Sequence, residues 1–277
     1  MGEAGPGGAA DPAPPLVDAH AHIFTRAMPF AADAHSRPDY DYGVEAYLAD
    51  LDRHGIRYGV IAAASLHGDY NDYTLEALAN HDRLRGTVIL DPATPAAELR
   101  RLAGQGVAGV RLQWRRMAEF PDMAAPPYAG FLRGLADAGM HVELLSGSAS
   151  LPRLLPPLVA SGVDVVIDHF GVPARDTGAQ CPGYDALARA VDSGRCWIKI
   201  SAGFRMAMET ALAVAARLLA EAGPERLLWG SDAPFVNHEA SMSFGDALDL
   251  YYRLVPDAAI RHTIDETART LFFGRQG

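Results

Sequence analysis

Three histidines and one aspartate lie where apolar runs of this sequence end. His20 and His22 close the first such run, His169 closes the sixth, and Asp232 closes the eighth. Imidazole nitrogens and carboxylate oxygens can move protons, polarise a carbonyl group or bind a divalent metal ion. If the fold brings these four side chains together, they can serve either acid–base hydrolysis or metal-assisted chemistry.

The elements that would position these residues alternate regularly from residue 16 onward. Short β-rich apolar runs are followed by longer amphipathic segments, which is the pattern of repeated βα units. The predicted strands are 16–24, 58–65, 84–91, 109–114, 141–147, 164–169, 196–202 and 226–232. The predicted helices are 44–54, 72–81, 96–103, 128–138, 150–160, 184–192, 207–222 and 241–254. Runs such as 60–64 and 163–166 are apolar throughout, as expected for a parallel sheet covered on both faces.

Eight rounds of strand and helix in 277 residues predict an α/β fold, a single (β/α)₈ TIM barrel with a parallel eight-stranded sheet. An open doubly wound sheet is the alternative, but no glycine-rich nucleotide loop follows the first strand. We expect residues 1–15, rich in Gly, Ala and Pro, to form a disordered N-terminal tail and residues 16–277 to form the barrel domain. Catalytic groups of such barrels lie at the carboxyl ends of the strands, so the four residues should converge.

Composition narrows the classes of partner. The net charge is −10 and the charges are mixed along the chain, which argues against nucleic acid and anionic membrane as partners. A small anionic substrate is compatible with this net negative charge, because a few arginines can make a local positive pocket. No run approaches the roughly 20 apolar residues that span a bilayer. The two cysteines, Cys181 and Cys196, lack zinc-finger spacing, and we expect a reducing, cytoplasmic setting; whether the chain forms a homo-oligomer stays open.

Several short segments carry a family resemblance. VDAHAHIF, VIDHFGVP, LLWGSDAPF and CWIKISAGFRM resemble the amidohydrolase superfamily (amidohydrolase 2 type), and within it the 2-pyrone-4,6-dicarboxylate lactonase group, over residues 16–272. The resemblance implies a TIM-barrel hydrolase domain that acts on a small carbonyl compound. It implies that Asp232 is the general base that activates water, and that His20, His22 and His169 polarise the substrate carbonyl.

The resemblance leaves the metal undecided. Many amidohydrolases hold one or two divalent ions with the HxH pair, histidines of the fifth and sixth strands, and the eighth-strand Asp. Here Leu145 occupies the fifth-strand position, and Gln113 ends the fourth strand where binuclear members have Lys or Glu. We therefore favour no metal or other cofactor, as in the lactonase group. The alternative is a mononuclear zinc-dependent amidohydrolase or decarboxylase with the same three histidines and Asp232 as ligands.

Five further polar residues match pocket positions of the lactonase group. They are Arg111, Arg205, Ser65, Asn71 and Asn237. Two guanidinium groups at a barrel mouth favour a small anionic substrate, because a guanidinium can pair two-pronged with a carboxylate. A further arginine of that group falls on Met117 here, although Arg115 and Arg116 are adjacent. We therefore expect a less charged pocket than in the lactonase group.

These observations lead to one functional hypothesis with alternatives. We expect a hydrolase that acts on a lactone or related cyclic ester of a small carboxylated metabolite. A catalytically silent barrel that binds an acidic metabolite is the alternative from another class. The sequence does not name the substrate, and it does not separate hydrolysis from isomerisation or ring closure.

Overall fold

The computed structural model describes residues 12–274, which form a barrel of eight parallel strands with helices around it. Each strand pairs with its neighbours in sequence order. The strands are β1 (Val17–Ala21), β2 (Tyr58–Ile61), β3 (Leu84–Val88), β4 (Val107–Gln113), β5 (His141–Leu145), β6 (Asp164–Ile167), β7 (Cys196–Ser201) and β8 (Leu227–Gly230). The predicted (β/α)₈ TIM barrel is confirmed.

Eight helices follow the strands within a few residues of their predicted bounds. They are α1 (Val44–Arg53), α2 (Asp72–Asn80), α3 (Ala96–Ala103), α4 (Tyr128–Asp137), α5 (Leu151–Ala160), α6 (Gly183–Asp192), α7 (Met208–Glu221) and α8 (Phe244–Leu254). The structure adds a helix that the sequence analysis did not predict, α9 (Ala258–Phe273). None of the helices within 12–274 is long and apolar enough to cross a membrane.

The helix α9 packs against the amino end of the barrel. Its C-terminal half belongs to a separate apolar cluster with the first residues of several strands. This cluster contains Val17, Ala19, Val60, Val166, Leu228, Ala268 and Phe272. Because the amino end is filled in this way, the carboxyl end is left for a ligand, as in other barrels of this kind. Residues 12–15 precede β1 without helix or strand; the rest of the predicted N-terminal tail, 1–11, lies outside the described residues.

The strands β1 and β8 close the barrel through the buried carboxylate of Asp18. The backbone N–H and the hydroxyl of Ser231 donate to it at 2.8 and 2.6 Å, and the Tyr47 hydroxyl donates at 3.2 Å. Further along, Asp232 N donates to His20 O at 2.8 Å. Asp18 therefore ties the first strand to the loop that carries Asp232.

Two local features turn His20 toward the barrel interior. The pairing of β1 with β2 shifts register between Asp18 and Ala21, and such irregularities re-aim side chains beside active sites. In addition, β8 approaches β1 closely at Gly230, where an added Cβ would lie 2.5 Å from the Cβ of His20. Only glycine permits this approach, so Gly230 is required for the position of His20.

Replacing Asp18 by Asn tests this closure. Burial raises the pKa of Asp18 to about 6, so at pH 8 the group is an ionised acceptor of several hydrogen bonds. An Asn amide has one acceptor oxygen and would turn N–H groups toward donors. We expect Asp18→Asn to lower the free energy of unfolding by about 1–3 kcal/mol in urea at pH 8. Asp249→Asn, exposed on α8, is the control and should change it by less than about 0.5 kcal/mol. Equal stability of the two variants would contradict the role of Asp18.

Candidate active site

The structure brings the three histidines and Asp232 together at the carboxyl end of the barrel. The Nε2 atoms of His22, His20 and His169 lie 3.5, 3.6 and 3.8 Å from one oxygen, Asp232 Oδ1. The imidazole of His20 packs edge-on against both other rings, with centroid distances of 4.9 Å to His22 and 4.6 Å to His169. The i, i+2 spacing of the first two histidines thus places both on the interior side, as the sequence analysis expected.

Asp232 is held as a carboxylate. Its second oxygen, Oδ2, accepts a hydrogen bond from Arg205 Nε at 2.8 Å, while the side chain is buried. Burial alone would raise the pKa of Asp232, but His169, His22 and Arg205 hold it well below the usual range. An ionised oxygen, Oδ1, therefore faces the imidazoles, which is the state that a general base requires.

The loops that carry these residues leave their strands with an unusual backbone conformation. His169 after β6, Ala202 after β7 and Asp232 after β8 have φ angles of 51°, 56° and 63°. This left-handed region is unfavourable for residues other than glycine, and such conformations cluster at active sites. The predicted strands 164–169, 196–202 and 226–232 therefore end earlier in the structure than in the prediction.

The hydrogen bonds of the Nδ1 atoms decide which imidazoles can donate from Nε2 into the site. His22 Nδ1 lies 2.8 Å from Ala62 O, and because a carbonyl only accepts, this nitrogen carries the proton. In the neutral tautomer with this proton, the lone pair of the ring is on Nε2, which faces Asp232 Oδ1 at 3.5 Å. His169 Nδ1 lies 2.8 Å from Ser201 Oγ, a hydroxyl that can donate or accept. Burial lowers the pKa of His169 to about 4, so this ring is neutral at pH 7.

Below the histidines lies a set of buried charges that we call the interior charge layer: Arg111 of β4, Glu143 of β5, Asp168 after β6 and Lys199 of β7. Arg111 contacts Asp168 Oδ2 at 2.8 Å and Glu143 Oε1 at 2.9 Å. Lys199 Nζ pairs with Glu143 Oε2 and lies 3.3 Å from Asp168 Oδ1. All four are buried, and two positive charges balance two negative ones.

Arg111, predicted to bind substrate, reaches the cavity from this layer. It is only 3% exposed, and its guanidinium also donates to Ala63 O at 2.7 Å. Burial alone would lower its pKa, but Asp168 and Glu143 raise it, so the side chain stays cationic. Much of its hydrogen-bonding capacity is used inside the protein, and its edge lines the floor of the cavity.

A cavity of about 430 Å³ opens above Asp232. This volume suits a small ligand. The predicted residues that line it are His22, His169, Asp232, Arg111, Arg205, Ser65 and Asn237. His20 lies beneath the wall and has no exposed surface. Asn71 is not among the lining residues; its amide donates to Ile89 O at 2.8 Å and accepts from Ile89 N at 3.1 Å, which ties α2 to the end of β3.

The rim of the cavity is strongly positive although the chain is acidic overall. Arg115 and Arg116, in the turn after β4, line it together with Arg205 and His35. Burial and the neighbouring arginines Arg116 and Arg205 lower the pKa of both Arg115 and His35. The expectation of a less charged pocket than in the lactonase group stays a prediction; Arg115 and Arg116 line the cavity beside Met117.

Three members of the quartet fit a divalent ion by spacing but only in part by hydrogen bonding. His20, His22 and Asp232 offer ligand atoms close enough to share one ion, and His22 presents the free Nε2 lone pair that a ligand needs. His20 is different: its Nδ1 is hydrogen-bonded to Lys199 Nζ at 3.0 Å, and an ammonium group only donates. With Nδ1 accepting, the ring proton sits on Nε2, where a metal would bind.

The sequence analysis missed Glu143, Asp168 and Lys199. A signal for two of them was present, since His-Val-Glu-Leu-Leu and Trp-Ile-Lys-Ile-Ser each place one charge inside an otherwise apolar strand. Charged residues are rarely fully buried unless they are paired. Opposite charges within the apolar strands β5 and β7 could therefore have indicated an ion pair inside the barrel.

Comparison with known proteins agrees with this site. The amidohydrolase family model matches residues 17–273, and the chain belongs to this family. Together with its lactone-hydrolysing relatives, this identifies the chain as an enzyme, a hydrolase of the amidohydrolase superfamily.

Two relatives and one solved structure are close enough to describe. A 4-sulfomuconolactone hydrolase of Rhizobium radiobacter is 28% identical over 91% of this chain and 88% of its own length. A 2-pyrone-4,6-dicarboxylate hydrolase of Comamonas testosteroni is 27% identical over 90% and 86%. A crystal structure from Acinetobacter baumannii, provisionally named a 2-pyrone-4,6-dicarboxylic acid hydrolase and containing citric acid, has a TM-score of 0.88. It is 30% identical, and the match covers 94% of this chain and 99% of that one.

Proposed function

We propose that the protein hydrolyses the lactone of a small metabolite that carries two anionic groups, and that it does so without a metal ion. The observation that carries the proposal is the ionised Asp232 carboxylate, with three imidazoles around one of its oxygens and a cationic cavity above it. Two relatives are named for lactones that bear a sulfo group or two carboxylates, which agrees with this class of substrate.

The proposed reaction uses Asp232 as the base. It takes a proton from a water molecule as the water oxygen attacks the lactone carbonyl carbon. Negative charge then develops on the carbonyl oxygen, where the imidazole N–H of His169, which lines the cavity, can stabilise it. His20 lies beneath the cavity wall, and its Nε2 faces the Asp232 carboxylate. The ring C–O bond breaks, and the leaving oxygen receives the proton from Asp232, which gives a hydroxy acid. His22, with its lone pair toward the cavity, is suited to accept a hydrogen bond from the attacking water.

The arginines supply the binding energy for the anionic groups. Arg205 Nε is committed to Asp232 Oδ2, so this side chain lies directly beside the reacting centre. Arg115 and Arg116 lie at the rim, where a second anionic group of the substrate would arrive. Charge-assisted hydrogen bonds of this kind fix orientation as well as affinity. The citric acid in the related A. baumannii structure is a ligand of similar charge.

A zinc-dependent hydrolase or decarboxylase is the second candidate, since His20, His22 and Asp232 can share one ion. Bound there, a divalent ion would supply Lewis-acid polarisation of the carbonyl. Ester and lactone carbonyls have better leaving groups than amides, so a lactone needs this assistance less than an amide does. The hydrogen bond between His20 and Lys199 favours the metal-free reaction.

Replacing Asp232 by Asn tests the proposed base. With 2-pyrone-4,6-dicarboxylate and 4-sulfomuconolactone as trial substrates, we expect kcat to fall by about 10²- to 10⁴-fold. Calorimetric affinity for the same lactone should change only a few-fold, because the arginines remain. Asp69→Asn, an exposed carboxylate on the loop after β2, is the matched control and should leave kcat nearly unchanged. Near-normal turnover by Asp232→Asn would refute this mechanism.

Replacing Arg115 and Arg116 by Gln tests the number of anionic groups. Loss of a charge-assisted hydrogen bond of about 1.5 kcal/mol or more corresponds to at least a tenfold rise in KM. We expect this rise for the dicarboxylate, with kcat little changed, and no rise for the unsubstituted 2-pyrone ring. Arg133→Gln, exposed on α4, is the control. If both lactones lose affinity equally, the rim arginines do not recognise a second anion.

A further inference from the structure

Lys199 is the only lysine of the chain, and it lies fully buried inside the barrel. It projects from β7 between the carboxylate of Glu143 and the ring of His20, and it does not line the cavity above Asp232. It therefore cannot touch a substrate there. Its cost of burial is offset by ion pairs, but a hydrophobic residue could fill the same space without that cost. Its contact with His20 points to a functional reason for it.

We propose that Lys199 is a positioning residue that fixes the tautomer of His20, so that the proton stays on Nε2 and points at the reaction centre. The inference builds on the proposed function, in which this N–H faces Asp232 Oδ1 and orients the general base. It also explains why the HxH pair, which elsewhere in the family binds metal, can act here without one. His20 is then the hydrogen-bond donor at Nε2 and His22 the acceptor.

The contacts around His20 Nδ1 support this assignment. Lys199 Nζ lies 3.0 Å away in hydrogen-bonding geometry. Asp168 Oδ1 lies 3.2 Å away, yet this oxygen has no hydrogen-bond partner among the described residues. If Nδ1 carried the proton, its N–H would meet an ammonium group at 3.0 Å, which is a contact between two donors. With Nδ1 as acceptor, the Lys199 ammonium donates to the ring at 3.0 Å and keeps its ion pair with Asp168 Oδ1 at 3.3 Å.

The charges of the layer agree with the assignment. Arg111 and Lys199 balance Glu143 and Asp168, so the layer is neutral only if His20 is neutral as well. Burial and the charge of Lys199 lower the pKa of His20 well below its usual value. His20 Nε2 has no hydrogen-bond partner among residues 12–274 and points at Asp232 Oδ1, 3.6 Å away. An N–H on His20 Nε2 would face that carboxylate favourably.

The ¹⁵N NMR spectrum of histidine-labelled, substrate-free protein tests the inference directly, with the His20 signals assigned by their loss in His20→Gln. We expect an unprotonated Nδ1 and a protonated Nε2. A wild-type ring protonated at Nδ1 would overturn the proposal, whether or not any variant folds.

The double variant Lys199→Met/Glu143→Gln removes one charge of each sign and so keeps the layer neutral. We expect the His20 proton to move to Nδ1, where it can be donated to Asp168 Oδ1. The freed Nε2 should then tighten Zn²⁺ binding, measured by calorimetry, by about tenfold or more. In the lactone assay kcat should fall on the order of 100-fold, with KM little changed.

Arg111→Met/Glu143→Gln is the matched control, because it also removes one charge of each sign but keeps Lys199 beside His20, and it should keep the wild-type tautomer and Zn²⁺ affinity. A folded Lys199→Met/Glu143→Gln variant with an unchanged tautomer and unchanged Zn²⁺ affinity would overturn the inference. If the wild-type ring carries its proton on Nε2 but no lactone is hydrolysed, the proposed function fails while the role of Lys199 stands.

Discussion

Four full charges inside the barrel support the rest of the site. Arg111, Lys199, Glu143 and Asp168 come from four consecutive strands or strand ends, and none has free access to solvent. Removing one member would leave an uncompensated buried charge, which costs several kcal/mol. The layer must therefore be kept as a set. It forms a floor of balanced charges on which His20 rests, and His20 in turn contacts Asp232 in the candidate site.

Above this floor, a single carboxylate oxygen organises the chemistry. Asp232 Oδ1 faces the imidazoles of His20, His22 and His169, and Arg205 holds the other oxygen. The left-handed backbone at the strand ends is unfavourable by itself and persists because the surrounding contacts impose it. The acidic surface and the cationic cavity are compatible, because the field at the site is set by nearby arginines and not by the net charge of −10.

The sequence predicted the barrel and the convergence of the four reacting residues, because both follow from strand periodicity and from the position of polar residues at strand ends. It did not predict α9, although Asp257 caps the start of this helix and Gly274 follows its end; the pattern of eight βα rounds gave no place to a ninth helix. The roles of Asn71 and Arg111 depend on partners far away in sequence, Ile89 for one and Asp168 for the other. The interior charge layer was missed for the same reason, because Lys199 and its partners meet only when the sheet closes.

We propose a reaction centre that works through protonated and unprotonated imidazoles without a metal ion. The most direct test is elemental analysis of protein prepared with a chelator, combined with its rate of hydrolysis of 2-pyrone-4,6-dicarboxylate or 4-sulfomuconolactone. We expect full turnover with far less than one divalent ion per chain, and no gain on adding Zn²⁺. Activity that disappears with chelation and returns in proportion to bound metal would contradict the account.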